Sequence, residues 1–350
     1  MNTDFYAIIE EGRRHFGSRL TIMGHHYQEE TVFRHTDIRG DSLELARRTA
    51  TVDSPYIIFC GVYFMAESTA LLARHGQEVH LPEPSAECSM ALMSPADLLE
   101  NVLEKLSRTG RRVIPLVYIN STLAVKAMVG RHQGATCTSG NAEKMLAWAL
   151  REGDAVLFLP DGNLGANVAN RLNLPETERF TLNFKDTSER LPAEADRARL
   201  FLWPGFCAIH TRFHRRQIER VLAEHPGIKV VVHPECSPVV VKAADAVGST
   251  AFIIRYVEEL PVGSSVAIGT EVNLVERLAA QHQGRVKVLP LVESVCTHMA
   301  QTTEERLAAA MTALMHRDQC GEPSEFEVRI ADAWRAPAKA ALERMFAVCR

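Results

Sequence analysis

Trp203-Pro-Gly-Phe-Cys-Ala-Ile-His-Thr-Arg-Phe213 directly follows Leu200-Phe-Leu202, an apolar run typical of a buried strand. The proline and the glycine end that strand, and a helical pattern begins near Thr211. Cys207 and His210 are therefore predicted to lie on a strand-to-helix loop, where parallel α/β sheets bind ligands. One cysteine and one histidine on a loop are by themselves a weak indication of a site.

The same order of strand, proline and cysteine occurs twice more in the chain. Leu81-Pro82 precedes Cys88, and Leu289-Pro290 precedes Cys296. This internal repeat predicts three equivalent units, each with one cysteine on its last strand-to-helix loop. We therefore expect Cys88, Cys207 and Cys296 to form one site.

The first strand of each unit ends in two polar side chains one residue apart. Residues i and i+2 of an extended segment point the same way, so each pair is predicted to face a pocket. The pairs are His25 with Tyr27, Tyr118 with Asn120, and His233 with Glu235.

A hydroxyl-bearing turn then precedes a helix in each unit. The turns are Gly40-Asp41-Ser42, Thr138-Ser139-Gly140-Asn141 and Gly248-Ser249-Thr250. Such a hydroxyl is either an N-cap of its helix or a ligand for a carboxylate or phosphate at the helix N-terminus. Three copies at matched positions favour anion binding.

Alternation of strands and helices along the chain predicts an α/β fold with parallel sheets. We predict three α/β domains at residues 1–92, 93–212 and 213–300, each giving its carboxyl-end loops to a shared centre. Residues 301–350 are predicted to be a helical tail that packs on the body. The polar residues 171–196 are expected to form a surface excursion outside the repeat.

Composition excludes several classes of function. The net charge of -4 over 350 residues is spread without long runs, so neither nucleic acid nor an anionic membrane is an expected partner. The chain shows no signal-peptide pattern and no apolar run near the roughly 18 residues that span a bilayer, which predicts a soluble, cytoplasmic protein.

Eight cysteines without a Cys-x-x-Cys pair favour a metal site or catalysis over disulfides. Three thiolates from three domains could hold three irons of a [4Fe–4S] cluster and leave the fourth iron open as a Lewis acid. A zinc ion held by the same three cysteines is the alternative, and spacing does not distinguish the two. Cys60, Cys320 and Cys349 are expected to be ordinary thiols without a role in the site. Cys137 and Cys236 lie beside pocket segments, and packing is expected of them ahead of an approach to the cluster.

Proton-transfer groups are expected around this centre, since imidazole, phenol and carboxylate can each exchange a proton within hydrogen-bond reach. The candidates are His25, Tyr27, Tyr118, His210, His233 and Glu235.

Taken together, these residues resemble the quinolinate synthase family. The most specific segments are Trp203-Pro-Gly-Phe-Cys207-Ala-Ile-His210 and His233-Pro-Glu-Cys236. The other matching segments are residues 24–28, 40–43, 59–67, 88–91, 118–121, 137–141, 159–165, 248–250 and 296–299.

The resemblance implies three similar three-layer α/β domains, arranged with pseudo-threefold symmetry around a [4Fe–4S] cluster held by Cys88, Cys207 and Cys296. It implies the condensation of iminoaspartate with dihydroxyacetone phosphate to quinolinate, with loss of phosphate and two waters. This step belongs to NAD biosynthesis, with L-aspartate oxidase as the functional partner that supplies iminoaspartate and with a monomer or homodimer as the assembly.

The resemblance also implies roles for single residues. Acid/base candidates are Tyr27, Tyr118, His210 and Glu235. The residues expected around the substrates are His25, Ser42, Tyr118, Asn120, Ser139, His233, Glu235 and Thr250. The chain departs from the family pattern at His26, Tyr63 and Gly140, and it lacks the extra cysteines near Cys296 on which a redox switch would depend.

Two other functions remain open on the residues alone. One is an iron–sulfur hydro-lyase for a different small hydroxy acid. The other is a non-catalytic metal-binding protein, such as an electron carrier, which would need a fully ligated cluster and no converging acid/base groups.

Overall fold

The computed structural model describes residues 4–185 and 191–349. All of its named strands pair in parallel, within three sheets, which confirms the predicted α/β fold. The chain divides into two compact units. Unit 1 comprises Met1–Cys88, Glu271–Arg277 and Val295–Ile330, and unit 2 comprises Ser89–Thr270, Leu278–Ser294 and Ala331–Arg350. The three domain boundaries and their pseudo-threefold arrangement stay predictions.

Unit 1 contains a four-stranded sheet in the order β2-β1-β3-β4. Its strands are β1 (Leu20–His25), β2 (Ile38–Gly40), β3 (Tyr56–Cys60) and β4 (Glu78–His80). Its helices are α1 (Phe5–Phe16), α2 (Glu30–Phe33), α3 (Ser42–Thr49), α4 (Tyr63–Leu72) and α14 (Glu304–Cys320). Strands β1 and β3 are almost continuously buried, as expected for parallel strands covered on both faces.

The core of unit 1 includes the packing of α1 against α14 and the sheet. Ile9, Ile22, Ile58 and Met311 are all fully buried in one apolar cluster. Gly12 permits the approach, because a Cβ there would lie 2.2 Å from a Met311 side-chain atom. Part of the predicted helical tail therefore belongs to the core of unit 1.

Unit 2 contains a five-stranded sheet in the order β6-β5-β7-β9-β8. Its strands are β5 (Val113–Tyr118), β6 (Ala135–Cys137), β7 (Ala155–Leu159), β8 (Arg179–Thr181) and β9 (Leu200–Leu202). The accompanying helices are α5 (Ser89–Leu92), α6 (Ala96–Ser107), α7 (Leu123–Arg131), α8 (Ala142–Glu152), α9 (Gly162–Arg171) and α15 (Asp332–Val348).

The excursion predicted for residues 171–196 is wrong in part. Strand β8 pairs in parallel with β9, and Leu182 and Ala195 are buried in the core of unit 2. The segment Arg179-Phe-Thr181 carries a single apolar residue, so it had no alternation that could reveal a strand. Residues 186–190 of the predicted excursion lie outside the described residues.

A second sheet of unit 2 has the order β11-β10-β12-β13. Its strands are β10 (Lys229–Val232), β11 (Ala246–Val247), β12 (Ser265–Gly269) and β13 (Lys287–Pro290). The remaining helices are α10 (Arg215–Glu224), α11 (Pro238–Ala243), α12 (Thr250–Glu259) and α13 (Val272–Gln281). Of α13, residues 272–277 belong to unit 1 and residues 278–281 to unit 2. All three sheets thus share the same order over four strands, so the sequence repeat is also a repeat of topology.

The three hydroxyl-bearing turns do precede helices, but neighbouring residues take the capping position. The Asp41 carboxylate accepts the backbone N–H groups that begin α3. Ser249 caps α12, and the Asn141 side chain before α8 accepts from the Thr138 N–H. Ser42 and Thr250 are consequently the first residues of their helices and not the N-caps.

Candidate functional site

The loop that carries Cys207 is fixed by close backbone packing in unit 2. The indole Nε1 of Trp203 donates to the Met93 carbonyl at 2.8 Å. A Cβ on Gly205 would lie 2.4 Å from the Pro160 carbonyl oxygen, so only glycine permits this approach. Cys207 therefore follows a segment with little freedom to move.

Three donor groups meet beyond this loop. The Nδ1 of His210 lies 2.7 Å from Glu235 Oε2, and both side chains are almost completely buried. The Cys207 sulfur, an imidazole nitrogen of His210 and a carboxylate oxygen of Glu235 all lie within 4.8 Å of one another. The His233 ring stacks on His210 at a centroid distance of 4.4 Å, and Thr270 Oγ1 lies 3.3 Å from His210 Nε2.

The electrostatics of this cluster favour an ionised Glu235 and a neutral His233. Burial opposes ionisation of Glu235, but His210, His233 and the Tyr118 hydroxyl outweigh it and lower the pKa of Glu235 to about 2. Burial, reinforced by His210, lowers the pKa of His233 to about 3. Glu235 is thus held in its ionised form 2.7 Å from His210 Nδ1, and His233 is held in its neutral form.

Asp161 is a buried carboxyl that the sequence prediction missed. Burial and the nearby Glu235 charge raise its pKa well above the usual value, against backbone N–H groups that include that of Cys207. Its Oδ1 accepts from Leu164 N at 2.8 Å at the start of α9. The sequence signal that could have revealed Asp161 is its position just after the carboxyl end of the apolar strand β7.

Asn167 holds the loop that carries Glu235. Its side-chain amide donates to the Pro234 carbonyl at 2.8 Å and to the Cys236 carbonyl at 2.7 Å. These two carbonyls flank Glu235 in the chain, so the amide fixes the backbone on both sides of the carboxylate. No sequence pattern marks this residue, which lies within α9.

In unit 1, the predicted pair His25 and Tyr27 comes together, with ring centroids 4.7 Å apart at a steep angle. Asn273 donates to the Tyr27 carbonyl at 3.2 Å and to Glu271 Oε1 at 3.0 Å. The same carboxylate oxygen lies 3.4 Å from the Cys296 N–H. Glu271 and Asn273 therefore join the Tyr27 and Cys296 segments within this unit.

Burial raises the pKa of Glu271 to about 8, although the N–H groups of Cys296 and Asn273 and the charge of Arg277 oppose the shift. Glu271 is therefore mostly protonated at neutral pH. Sequence reasoning also missed this residue, which directly follows the apolar segment of β12 and Thr270.

Further predicted residues of unit 2 lie at the ends of its strands and helices. Tyr118 ends β5 and hydrogen-bonds Glu235. Asn120 follows it, and its buried Oδ1 has no hydrogen-bond partner among the described residues. The turn before α8, which carries Ser139, reaches the start of α12 with Thr250, since a Cβ on Gly140 would lie 3.5 Å from Ser249 Oγ. Ser42 lies in unit 1 at the start of α3.

The eight cysteines differ in exposure: three are buried, Cys320 is exposed, and Cys349 is half-buried, as are the three proposed ligands. Cys88 and Cys296 in unit 1 and Cys207 in unit 2 are all half-buried. In contrast, burial raises the pKa of three other thiols: Cys60, Cys137 and Cys236. A thiol held in its protonated form is a poor metal ligand, so the predicted ligand set fits a metal cluster better than the buried cysteines do.

Within the part of the chain that the structure describes, no helix is both long and apolar enough to cross a membrane.

The chain is similar to known proteins of one family. The family model described as "Quinolinate synthetase A protein" matches residues 8–347. The quinolinate synthase of Corynebacterium glutamicum is 40% identical over 99% of this chain and 88% of its own length. The quinolinate synthase of Acidobacterium capsulatum is 39% identical over 97% of this chain and 92% of its own length. The quinolinate synthase of Geobacillus kaustophilus is 45% identical over 77% of this chain and 74% of its own length.

Proposed function

The chain belongs to the quinolinate synthetase A family, and from this membership we propose that it condenses iminoaspartate with dihydroxyacetone phosphate to quinolinate, releasing phosphate and two waters. The observation that carries the proposal furthest is the buried His210–Glu235 pair, 2.7 Å apart, beside Cys207. Dehydration and imine chemistry both require a proton to be removed and returned at defined positions, which such a pair can do.

We further propose that Cys88, Cys207 and Cys296 hold a [4Fe–4S] cluster at the centre of three pseudo-threefold domains. Their partial exposure supports this set over the fully buried cysteines. When bound, such a cluster supplies an open iron that acts as a Lewis acid on a substrate hydroxyl or carboxylate.

The chain's own residues would move the protons. The Glu235 carboxylate stays ionised and accepts a hydrogen bond from His210 Nδ1–H, which orients the imidazole and stabilises it when it takes up a proton from the substrate. The Tyr118 hydroxyl hydrogen-bonds the same carboxylate and favours its charged form. Tyr27, which packs edge-on against His25, is the acid/base candidate of unit 1.

Substrate anions and hydroxyls would be bound by the polar residues at strand and helix ends. The unpartnered Asn120 Oδ1 supports this role, because a substrate hydroxyl could satisfy it. The N-terminus of α8, whose N-cap makes no side-chain hydrogen bond to the helix, offers backbone N–H groups to a carboxylate or phosphate. At α3 and α12 the side chains of Asp41 and Ser249 already accept part of these N–H groups. The proposed substrate-binding set is His25, Ser42, Tyr118, Asn120, Ser139, His233, Glu235 and Thr250.

The test uses protein prepared without oxygen and loaded with its cluster. It is mixed with dihydroxyacetone phosphate and with iminoaspartate generated in place by an enzyme that oxidises L-aspartate, the proposed functional partner. We expect quinolinate to appear, and its absence with cluster-loaded protein would refute the proposal. Cys207→Ser should lose iron and activity together, whereas Cys60→Ser and Cys349→Ser should keep both.

A further inference from the structure

Cys207, His210 and Glu235 all belong to unit 2, and their donor atoms already lie within 4.8 Å of one another. We propose that the cluster-free protein binds one thiophilic divalent ion, Zn²⁺ or Co²⁺, through Cys207, His210 and Glu235. This site uses neither Cys88 nor Cys296. It shares only Cys207 with the proposed cluster site, whose three ligands are all cysteines.

The donor chemistry selects the kind of ion. One thiolate, one imidazole and one carboxylate are a set that zinc accepts, with water completing the tetrahedron. Thiolate and imidazole favour Zn²⁺ and Co²⁺ over Mg²⁺ or Ca²⁺, which prefer oxygen ligands. The single carboxylate in a buried position leaves the latter ions without enough oxygen donors.

The three ligands are held in place by their neighbours. With Nδ1 on the ion, the Nε2–H of His210 can donate to Thr270 Oγ1, 3.3 Å away, which orients the ring as second-shell partners do in metal sites. The Asn167 amide fixes the backbone on both sides of Glu235. The half-buried Cys207 gives the ion a route to the site.

Binding requires a small local adjustment. The His210 Nδ1 and Glu235 Oε2 atoms are 2.7 Å apart, whereas nitrogen and oxygen ligands of tetrahedral zinc lie about 3.3 Å apart. The ion therefore replaces the proton between them while the carboxylate moves slightly. The Cys207 thiol also loses its proton when it binds.

The site has a consequence for assembly of the proposed cluster, because both need Cys207. Protein preloaded with Zn²⁺ should incorporate less iron during anaerobic reconstitution than metal-free protein. This consequence depends on the proposed function, whereas the divalent-ion site itself does not.

The test titrates Co²⁺ into the full-length chain, reduced, freed of iron with a chelator and kept without oxygen. We expect one ion per chain, thiolate-to-cobalt charge-transfer absorption, the visible bands of tetrahedral cobalt, and displacement by Zn²⁺. His210→Ala and Glu235→Gln should each weaken binding by more than the roughly 10- to 100-fold that loss of a second-shell partner costs.

Three cysteine variants serve as matched controls. Cys88→Ser, Cys296→Ser and Cys236→Ser should bind Co²⁺ as the unmodified chain does. The proposal is overturned if Cys88→Ser or Cys296→Ser loses the charge-transfer band, or if His210→Ala and Glu235→Gln both retain full affinity.

X-ray absorption spectroscopy of the unmodified chain loaded with Zn²⁺ measures the atoms bound to the ion, and it does not depend on whether a variant folds. One sulfur neighbour with nitrogen and oxygen neighbours supports the proposed site, and three sulfur neighbours refute it. Co²⁺ binding without quinolinate formation would refute the proposed function and leave this site intact. Quinolinate formation by a chain that does not bind Co²⁺ would support the proposed function and refute the divalent-ion site.

Discussion

Glu235 remains ionised although its side chain is almost fully buried, because two imidazoles and the Tyr118 hydroxyl surround the carboxylate. Glutamine keeps the shape of the site and an oxygen that can accept from His210, but it removes the negative charge that stabilises a protonated His210. We expect Glu235→Gln to lower the rate of quinolinate formation by about 100- to 10,000-fold, the usual contribution of one acid/base group.

The iron content of Glu235→Gln should match that of the unmodified protein, since Glu235 is not a proposed cluster ligand. Glu258→Gln, at an exposed position on α12, is the control and should keep full activity. An active Glu235→Gln protein would contradict the acid/base role.

His26 is expected to make the folded chain less stable at acid pH, because its pKa is lowered in the folded state. Burial and the positive charges of Arg277 and Arg39 lower its pKa from 6.5 to about 4. Between these pH values the unfolded chain binds a proton that the folded chain excludes, so stability is lost as the pH falls from 6.5 to 4.

We therefore expect His26→Asn to reduce the loss of unfolding free energy between pH 6.5 and pH 4, as measured by denaturant titration at the two pH values. His75→Asn, at an exposed position, is the control and should leave the pH dependence unchanged. Equal pH dependence in His26→Asn and the unmodified chain would show that His26 is not responsible.

The sequence predicted some site residues and missed others for a physical reason. His25 with Tyr27 and His233 with Glu235 could be found because a strand of period two places residues i and i+2 on one side. Asp161 follows the end of β7 as a single polar residue, and Glu271 follows the end of β12 directly after Thr270, so neither forms an i and i+2 polar pair with the last residue of its strand. Their raised pKa values arise from burial, which depends on segments distant in the chain.

At the scale of elements, α9 orients the loop that follows β10. Its Asn167 amide satisfies two buried carbonyls on either side of Glu235. Asn167→Leu removes both donors at similar volume, and each buried carbonyl left unpaired costs about 1–3 kcal/mol. We expect a loss of at least about 2 kcal/mol in unfolding free energy.

The same substitution should lower kcat by about 100-fold, because an ångström-scale displacement of a catalytic group has an effect of that size. Asn101→Leu, at an exposed position on α6, should change neither quantity. Loss of stability without any change in kcat would show that the hydrogen bonds of the Asn167 amide do not position Glu235 for catalysis.

Strands with a continuous apolar run were predicted, including the three-residue β9 (Leu200–Leu202), and short strands without such a run were not. Strands β1, β5 and β10 each contain an apolar run that is recognisable alone. Strands β2, β6, β8 and β11 have only two or three residues, and their pairing with longer neighbours makes them strands.

At the scale of the whole molecule, the C-terminal helix α14 belongs to unit 1 and α15 belongs to unit 2. Helix α15 packs on α7 so closely that a Cβ on Gly130 would lie 1.8 Å from the Pro337 carbonyl oxygen. It begins at Asp332 and continues through Pro337, although a proline inside a helix usually ends or kinks it. Its inward face includes Leu342 and Met345, both fully buried.

We expect Leu342→Ala to lower the unfolding free energy by about 2–5 kcal/mol, the usual cost of such a truncation in a core. Lys339→Ala, at an exposed position of the same helix, should stay within about 0.5 kcal/mol of the unmodified chain. Denaturant unfolding measures both. Equal stability of the two variants would contradict the assignment of α15 to the core of unit 2.

The amino-acid sequence alone determined the α/β class, the threefold repeat, the cysteine loops and the family, because apolar periodicity and short motifs are local properties of the chain. Only the tertiary structure decided that Cys207, His210 and Glu235 share one cluster, and that α14 and α15 complete the cores of different units. Burial and the pKa of a buried group depend on which distant segments pack around it, and no local pattern records that packing. The Trp203–Phe213 loop illustrates both cases. Its motif can be recognised in the sequence, whereas the contact of its His210 with Glu235 is made only in the folded chain.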